Sequence, residues 1–382
     1  MPIACRYKLA EGKQFCLTDC PASAPCGVFH YVRVERPEDV PPSDERLIDV
    51  AVLDMNHGWP NLGHDSLVHA VKDAACDLIP VLEPAGLGIR TLSFDVRRSR
   101  MIPDGPGGRF ALYLGTGGPG DLDPHRNDGA TQGSQGIVED ASWEAPLFRV
   151  FGQVLDDPGA ALLAVCHSFG VMCRWAGVAR PTLRGEEKGG KSSGVLENVL
   201  TPEAQRHPWF RRFADELPDG RRLRIVDNRL FDLLQDPDPL PPGMLPVGHE
   251  TRGVGGPPGD ALTMLEFARD RGGAMPRVFG VNHHPEIVDR ARQMLILEQK
   301  RAKGEVSREW YAERLEVLTR TTPDEDIDQR LHLTSDYTLL GPLRFHVERL
   351  VRLRLEALGL EAPFHEDRIL DGPGVAASGA AP

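Results

Sequence analysis

Between residues 48 and 165 the chain repeats one pattern. A short apolar run stops at glycine, proline or aspartate, and helix-patterned sequence follows. The runs are Ile48–Met55 (IDVAVLDM), Leu87–Phe94 (LGIRTLSF), Phe110–Leu114 (FALYL) and Ala160–Val165 (AALLAV). Runs this short and this uniformly apolar suit parallel strands buried on both faces. Between them, Leu67, Val68, Val71, Ala74 and Ala75 make a helical face within 65–78, and Leu147, Phe148, Phe151 and Val154 make another within 143–155. Strand alternating with helix predicts an α/β fold: an open, mostly parallel sheet flanked by helices. In such sheets, sites form at the carboxyl ends of strands.

Further strand-like pieces fall at 223–226, 262–267 and 278–281. After Pro285 the pattern turns helical. Thr322-Pro323-Asp324-Glu325 reads as a helix start, and Leu343, Val347, Leu350, Val351, Leu355 and Leu358 form one apolar stripe. The stripe fits packing against the main domain; the sharper alternative is a homo-oligomer interface. The expected organisation is an extension over 1–46, a catalytic domain over 47–300, a helical extension over 301–370 and a disordered tail over 371–382. Glycine and proline together supply 73 of 382 residues, enough for many turns but short of a disordered composition.

The net charge of −12 argues against nonspecific binding to nucleic acid or anionic membranes. No apolar run approaches a membrane span, and residues 1–14 lack the apolar core of a secretory leader, so a cytoplasmic location is expected. Seven cysteines, an odd number, fit free thiols. Cys5, Cys16, Cys20 and Cys26 crowd the start with spacings that match no familiar zinc pattern. A four-cysteine metal site and idle thiols both remain open there.

Three segments carry chemistry, each after a predicted strand. Gly115-Thr116-Gly117-Gly118-Pro119-Gly120-Asp121 can turn backbone N–H groups toward an anion. Ala164-Val165-Cys166-His167-Ser168 has small residues around a candidate nucleophile at a strand-to-helix turn, where a helix N-terminus favours the thiolate. Val281-Asn282-His283-His284-Pro285-Glu286 places a glutamate two residues after a histidine, so that the carboxylate can orient the ring.

In this order the three segments resemble the class I glutamine amidotransferase family, over roughly residues 46–300. GTGGPGD is similar to its oxyanion strand, and GVNHHPE to its His-Pro-Glu segment. The resemblance implies a flavodoxin-like sheet with Cys166 as nucleophile, His284 as base and Glu286 as its orienting partner. It also implies an oxyanion hole from Gly117 or Gly118 with the N–H of His167. The expected substrate is glutamine or a γ-glutamyl compound, with no cofactor and no metal in the reaction. Ammonia would be released or passed to a separate synthase, since no P-loop pattern is present. Two departures stand out. Gly170 occupies the position where the family has a glutamine that holds substrate, and residues 121–140 form an inserted loop.

Other parses remain. Cys166-His167-Ser168-Phe169-Gly170 also resembles an α/β-hydrolase elbow, with Ser168 as nucleophile and His283 or His284 as base. A catalytically degenerate binding module is the third.

Overall fold

The computed structural model describes residues 27–185, 189–236, 239–320 and 325–362. The N-terminal cysteine cluster, the Thr322–Asp324 cap and the tail lie outside the described residues.

Six parallel strands form one half of a mixed sheet. In spatial order they are β1 (Phe29–Val34), β3 (Gly88–Asp95), β2 (Leu47–Asp54), β4 (Leu112–Gly115), β5 (Ala161–Val165) and β12 (Pro276–Val281). The sheet continues antiparallel through β11 (Pro258–Arg269), β10 (Leu245–Thr251), β7 (Gly194–Leu200) and β8 (Arg222–Asp227). Off this path, β6 (Ala179–Leu183) pairs with β9 (Phe231–Gln235), which touches β11.

Helices cover both faces, because each central strand sends alternate side chains to opposite sides. In β2, Ile48, Val50 and Val52 enter one core and Ala51 and Leu53 the other. The first core is roofed by α1 (Leu62–Asp77), α2 (Ile79–Ala85), α5 (Pro208–Glu216) and α9 (Gly341–Ala357). The second is covered by α3 (Glu144–Asp156) and α4 (His167–Trp175). The remaining helices are α6 (Arg290–Ala302), α7 (Arg308–Arg320) and α8 (Glu325–Ser335). This is the α/β sheet with flanking helices that the alternating runs predict.

Two boundaries differ from expectation. β1 falls within the segment expected as an extension, yet it pairs along its whole length with β3. Its sequence, FHYVRV, has four half-buried residues between two buried ones, including His30 and Arg33, which suits a sheet edge rather than a fully apolar run. The helical region after 300 does not stand apart either. Leu343, Val347, Val351 and Leu355 of α9 are buried in the core shared with α1, at about 1.5–3 kcal/mol per side chain. Leu350 packs at the edge of that core, and Leu358 stays exposed. The apolar stripe is thus largely consumed within the chain.

Candidate active site

β5 ends at Val165, and Cys166 makes the turn into α4. Its backbone sits at φ 49° and ψ −102°, a conformation costly for a residue with a Cβ. Hydrogen bonds hold it there: Cys166 N–H donates to the Val281 carbonyl at 2.7 Å, and Gly170 N–H donates to the Cys166 carbonyl at 2.9 Å. The first bond ties the elbow to β12, the strand that carries the histidine segment.

Beyond β12, His284 and Glu286 form a buried pair. His284 Nδ1 and Glu286 Oε1 lie 2.8 Å apart, the ring N–H donating to the carboxylate. Burial opposes a charge on this ring, but Glu286 and Cys166 together hold its pKa well above the usual histidine value. The other nitrogen, Nε2, is buried without a hydrogen bond of ordinary geometry, although the Cys166 thiol is near enough to act on the ring. Thiol–imidazole contacts of this kind are often loose without substrate and tighten around it.

The glycine turn after β4 closes the third side. A Cβ on Gly117 would stand 3.0 Å from His284 Cε1 and 3.6 Å from Cys166 Cβ, so the turn touches both groups. The N–H groups of Gly117, Gly118 and His167 are in no hydrogen bond among the described residues. Gly118 is required by a close approach: a Cβ there would lie 2.2 Å from the Met55 carbonyl oxygen. The His167 side chain is buried beneath the turn. Burial and Arg97 push its pKa well below the ordinary value, and its ring is hydrogen-bonded to the Gly118 backbone.

Several supporting residues are invisible in sequence. Arg97 is buried and pairs at 2.6 Å with Glu139, whose side chain is itself fully buried. It also donates to the carbonyls of Met55 and Pro119. The inserted 121–140 loop thereby ends as a strut under the glycine turn. Glu286 rests against the first turn of α1: a Cβ on Gly63 would be 2.6 Å from Glu286 Oε1. The positive end of the helix dipole favours a carboxylate there. Lys191 precedes an anchored residue. Ser192 N–H donates to the Arg229 carbonyl at 2.9 Å, and Ser192 Oγ donates to Asp227 at 2.6 Å. The adjoining Val226 carbonyl accepts His284 N–H at 2.8 Å. Desolvation draws the Lys191 pKa down, and Cys166 acts on it in the opposite sense.

Ser168 and His283 stand differently. Ser168 is buried, and its hydroxyl donates to the Thr116 carbonyl at 2.6 Å. His283 is buried on another side, with Nε2 3.4 Å from Thr338 Oγ1, and burial drives its pKa down to about 3. No hydrogen bond joins the Ser168 hydroxyl to His283 or His284 among the described residues. At Gly170 a Cβ would come within 2.5 Å of Leu122, so the inserted loop fills the space where a longer side chain would go. No cluster of metal-ligating side chains occurs among the described residues. No helix among them is long and apolar enough to cross a membrane.

No protein-family model matches this chain, and no curated protein does. Solved structures similar to it include SMU.1228c, 13% identical, at TM-score 0.40 over 79% of this chain and 98% of its own. A protein described as part of a GMP synthase, from Thermoplasma acidophilum, is 11% identical at TM-score 0.34, over 64% of this chain and 89% of its own. A ThuA-like protein from Bacteroides uniformis is 9% identical at TM-score 0.33, over 69% and 92%. At such scores the likenesses carry no functional weight, and a reading of function rests on the residues around Cys166.

Proposed function

We propose that this chain is a class I glutamine amidotransferase-like thiol hydrolase acting on glutamine or another γ-glutamyl amide. The observation that carries this reading is the meeting of three strand ends. The Cys166 elbow, the His284–Glu286 pair and the glycine turn converge, with Gly117 against both Cys166 and His284.

In the proposed reaction the Cys166 thiolate attacks the side-chain amide carbon. Negative charge on the carbonyl oxygen is met by N–H groups of Gly117 or Gly118 and of His167. As the C–N bond breaks, the His284 imidazolium gives its proton to the departing nitrogen, which leaves as ammonia. A thioester remains on Cys166. His284, now neutral, takes a proton from water. The hydroxide adds to the thioester, and the thiolate departs, leaving a free carboxylate product. Glu286 holds the ring in place and supports its charge in both halves. Ammonia is then released or handed to a separate synthase.

An esterase centred on Ser168 is disfavoured by the hydrogen bond that occupies its hydroxyl. The test is ammonia release from glutamine and γ-glutamyl amides, with Cys166→Ala as control. Activity that Cys166→Ala abolishes supports the proposal. A wild type no more active than the variant on every amide, with no alkylation of Cys166 by a glutamine-like diazo-ketone, overturns it in favour of a binding module.

A further inference from the structure

Gly117 and Gly118 both offer a free N–H, and the carbonyls of the glycine turn distinguish them. A trans peptide is planar, so each N–H points opposite to the carbonyl of the residue before it. Neighbours hold the turn peptide by peptide. The Thr116 carbonyl accepts from Ser168 N–H at 3.2 Å and from Ser168 Oγ at 2.6 Å, both in the first turn of α4. The Gly117 carbonyl accepts from Thr116 Oγ1 at 2.9 Å. The His167 ring bonds the Gly118 backbone, and the Pro119 carbonyl accepts from Arg97 at 2.6 Å.

The Thr116 hydroxyl is buried and its direction is fixed. It has one proton and two lone pairs. Met55 N–H donates to its oxygen at 2.9 Å and Asn56 Nδ2 at 3.4 Å, which leaves the proton for the Gly117 carbonyl. Asn56 is held in turn by Asp54 Oδ1, which accepts from its N–H at 3.0 Å and its Nδ2 at 2.6 Å. Met55 and Asn56 follow β2, and β2 borders β4 on the side away from β5. The Gly117 carbonyl is therefore drawn toward β2. The Gly118 N–H, on the opposite edge of the same peptide, faces the side of β5 and Cys166. The Thr116 carbonyl is drawn toward α4, so the Gly117 N–H faces away from the helix that Cys166 opens.

We propose that Thr116 is a positioning residue, whose hydroxyl turns the Gly117–Gly118 peptide so that Gly118 N–H is aimed at the oxyanion formed at Cys166. The proposal rests on the amide-hydrolase reading above. Thr116 acts through the backbone, because its side chain is buried beneath the turn. Its neighbours are secured differently. The Thr116 carbonyl has two donors, and the Pro119 carbonyl has a charged one. The Gly117 carbonyl relies on one neutral hydroxyl. With glycine on both sides, its peptide meets little steric resistance to rotation. Loss of that hydroxyl should therefore turn the Gly118 N–H away from the oxyanion while the rest of the turn stays in place.

The experiment compares the full-length wild type with Thr116→Val, which keeps the shape and removes the hydroxyl, and with Thr116→Ser, which restores it. Circular dichroism checks the fold, and Thr116→Ala replaces the valine variant where that one does not fold. Steady-state kinetics on the best amide give kcat and KM. Cys166 is alkylated in parallel with the glutamine-like diazo-ketone and with iodoacetamide. The diazo-ketone presents its carbonyl where the substrate's would lie, whereas iodoacetamide reacts by displacement at carbon and needs no oxyanion donor. Misaiming one donor costs less than removing it, so Thr116→Val should lower kcat by about 10–10²-fold with KM within about twofold. It should slow the diazo-ketone by a similar factor relative to iodoacetamide, and Thr116→Ser should recover most of both. Equal slowing with the two reagents, or no recovery in Thr116→Ser, would mean that the hydroxyl serves the fold alone and would overturn the proposal. Thr116→Val matching an active wild type would overturn it and leave the hydrolase reading standing. A wild type that takes the diazo-ketone but hydrolyses no amide leaves the reagent ratio to decide. A wild type inert to every amide and to the diazo-ketone removes the hydrolase reading, and this proposal with it.

Discussion

Cys166 pays for its position in backbone strain, and the same strain aims its side chain between the glycine turn and His284. Cys166→Ala should therefore end thiol chemistry without unfolding the chain. Ser168→Ala should keep activity, because Thr116 still accepts from Ser168 N–H at 3.2 Å. The lost hydroxyl bond should cost about 1 kcal/mol of stability, read by urea denaturation. Glu286→Gln should slow amide turnover by about 10²-fold. It should also move the acidic limb of the alkylation pH profile, since Glu286 helps hold the His284 pKa up. Lys191→Met should lower the alkylation rate by iodoacetate more than by iodoacetamide, because only the first reagent carries charge past the ammonium. Equal effects on the two would mean that Lys191 does not act on ligands at the thiol. Of these residues, Cys166, His284 and Glu286 are legible in sequence because each motif is local and follows a recognisable strand. Gly63, Arg97, Glu139 and Lys191 are not, since each reaches the site through a contact dozens of residues away.

Among the elements, α1 and the inserted loop do the positioning. Gly63→Ala should push the Glu286 carboxylate from the first turn of α1, lowering turnover far more than stability. A denaturation midpoint that falls in step with activity would contradict this. Glu139→Gln leaves Arg97 charged and buried without its carboxylate, and a loss of about 3–5 kcal/mol is expected, with the glycine turn the first region to loosen in hydrogen exchange. The parallel half of the sheet is readable because its strands are uniformly apolar. β6, β7, β9 and β10 are not. GVLENVL and LPVGHET break their apolar pattern with charge, and the structure shows why this is tolerated. Glu197 of β7 pairs laterally with Arg222 and Arg224 of β8, so the charge is satisfied at the sheet surface. Edge strand β1 escapes notice for a related reason: its four middle residues are only half-buried, so His30 and Arg33 are tolerated within the run.

At the scale of the whole molecule, histidines set the response to acid. Burial depresses the pKa of His69 to about 4 and of His283 and His346 to about 3. The unfolded chain binds protons at these residues from about pH 6.5 downward, whereas the native chain does not. Their contribution to stability is present above that pH and is lost as pH falls toward 3–4, by up to about 1.4 kcal/mol per pH unit for each. His284, with its raised pKa, has the opposite sign, stabilising at low pH and losing that contribution as pH rises through its folded value. With at least four depressed histidines, His167 among them, against the one that is raised, the urea midpoint should be lower at pH 5 than at pH 7, and a higher one would refute the assignment. The order of the strands has a consequence for biosynthesis. β1 leaves the ribosome first, but its partner β3 follows some 60 residues later, so its edge stays unpaired in the interval. β12 comes later still and must insert between β5 and β11, both already made. A nascent chain therefore carries Cys166 for more than a hundred residues of translation before His284 can reach it, so the proposed thiol–imidazole pair cannot form until the middle of the sheet has closed.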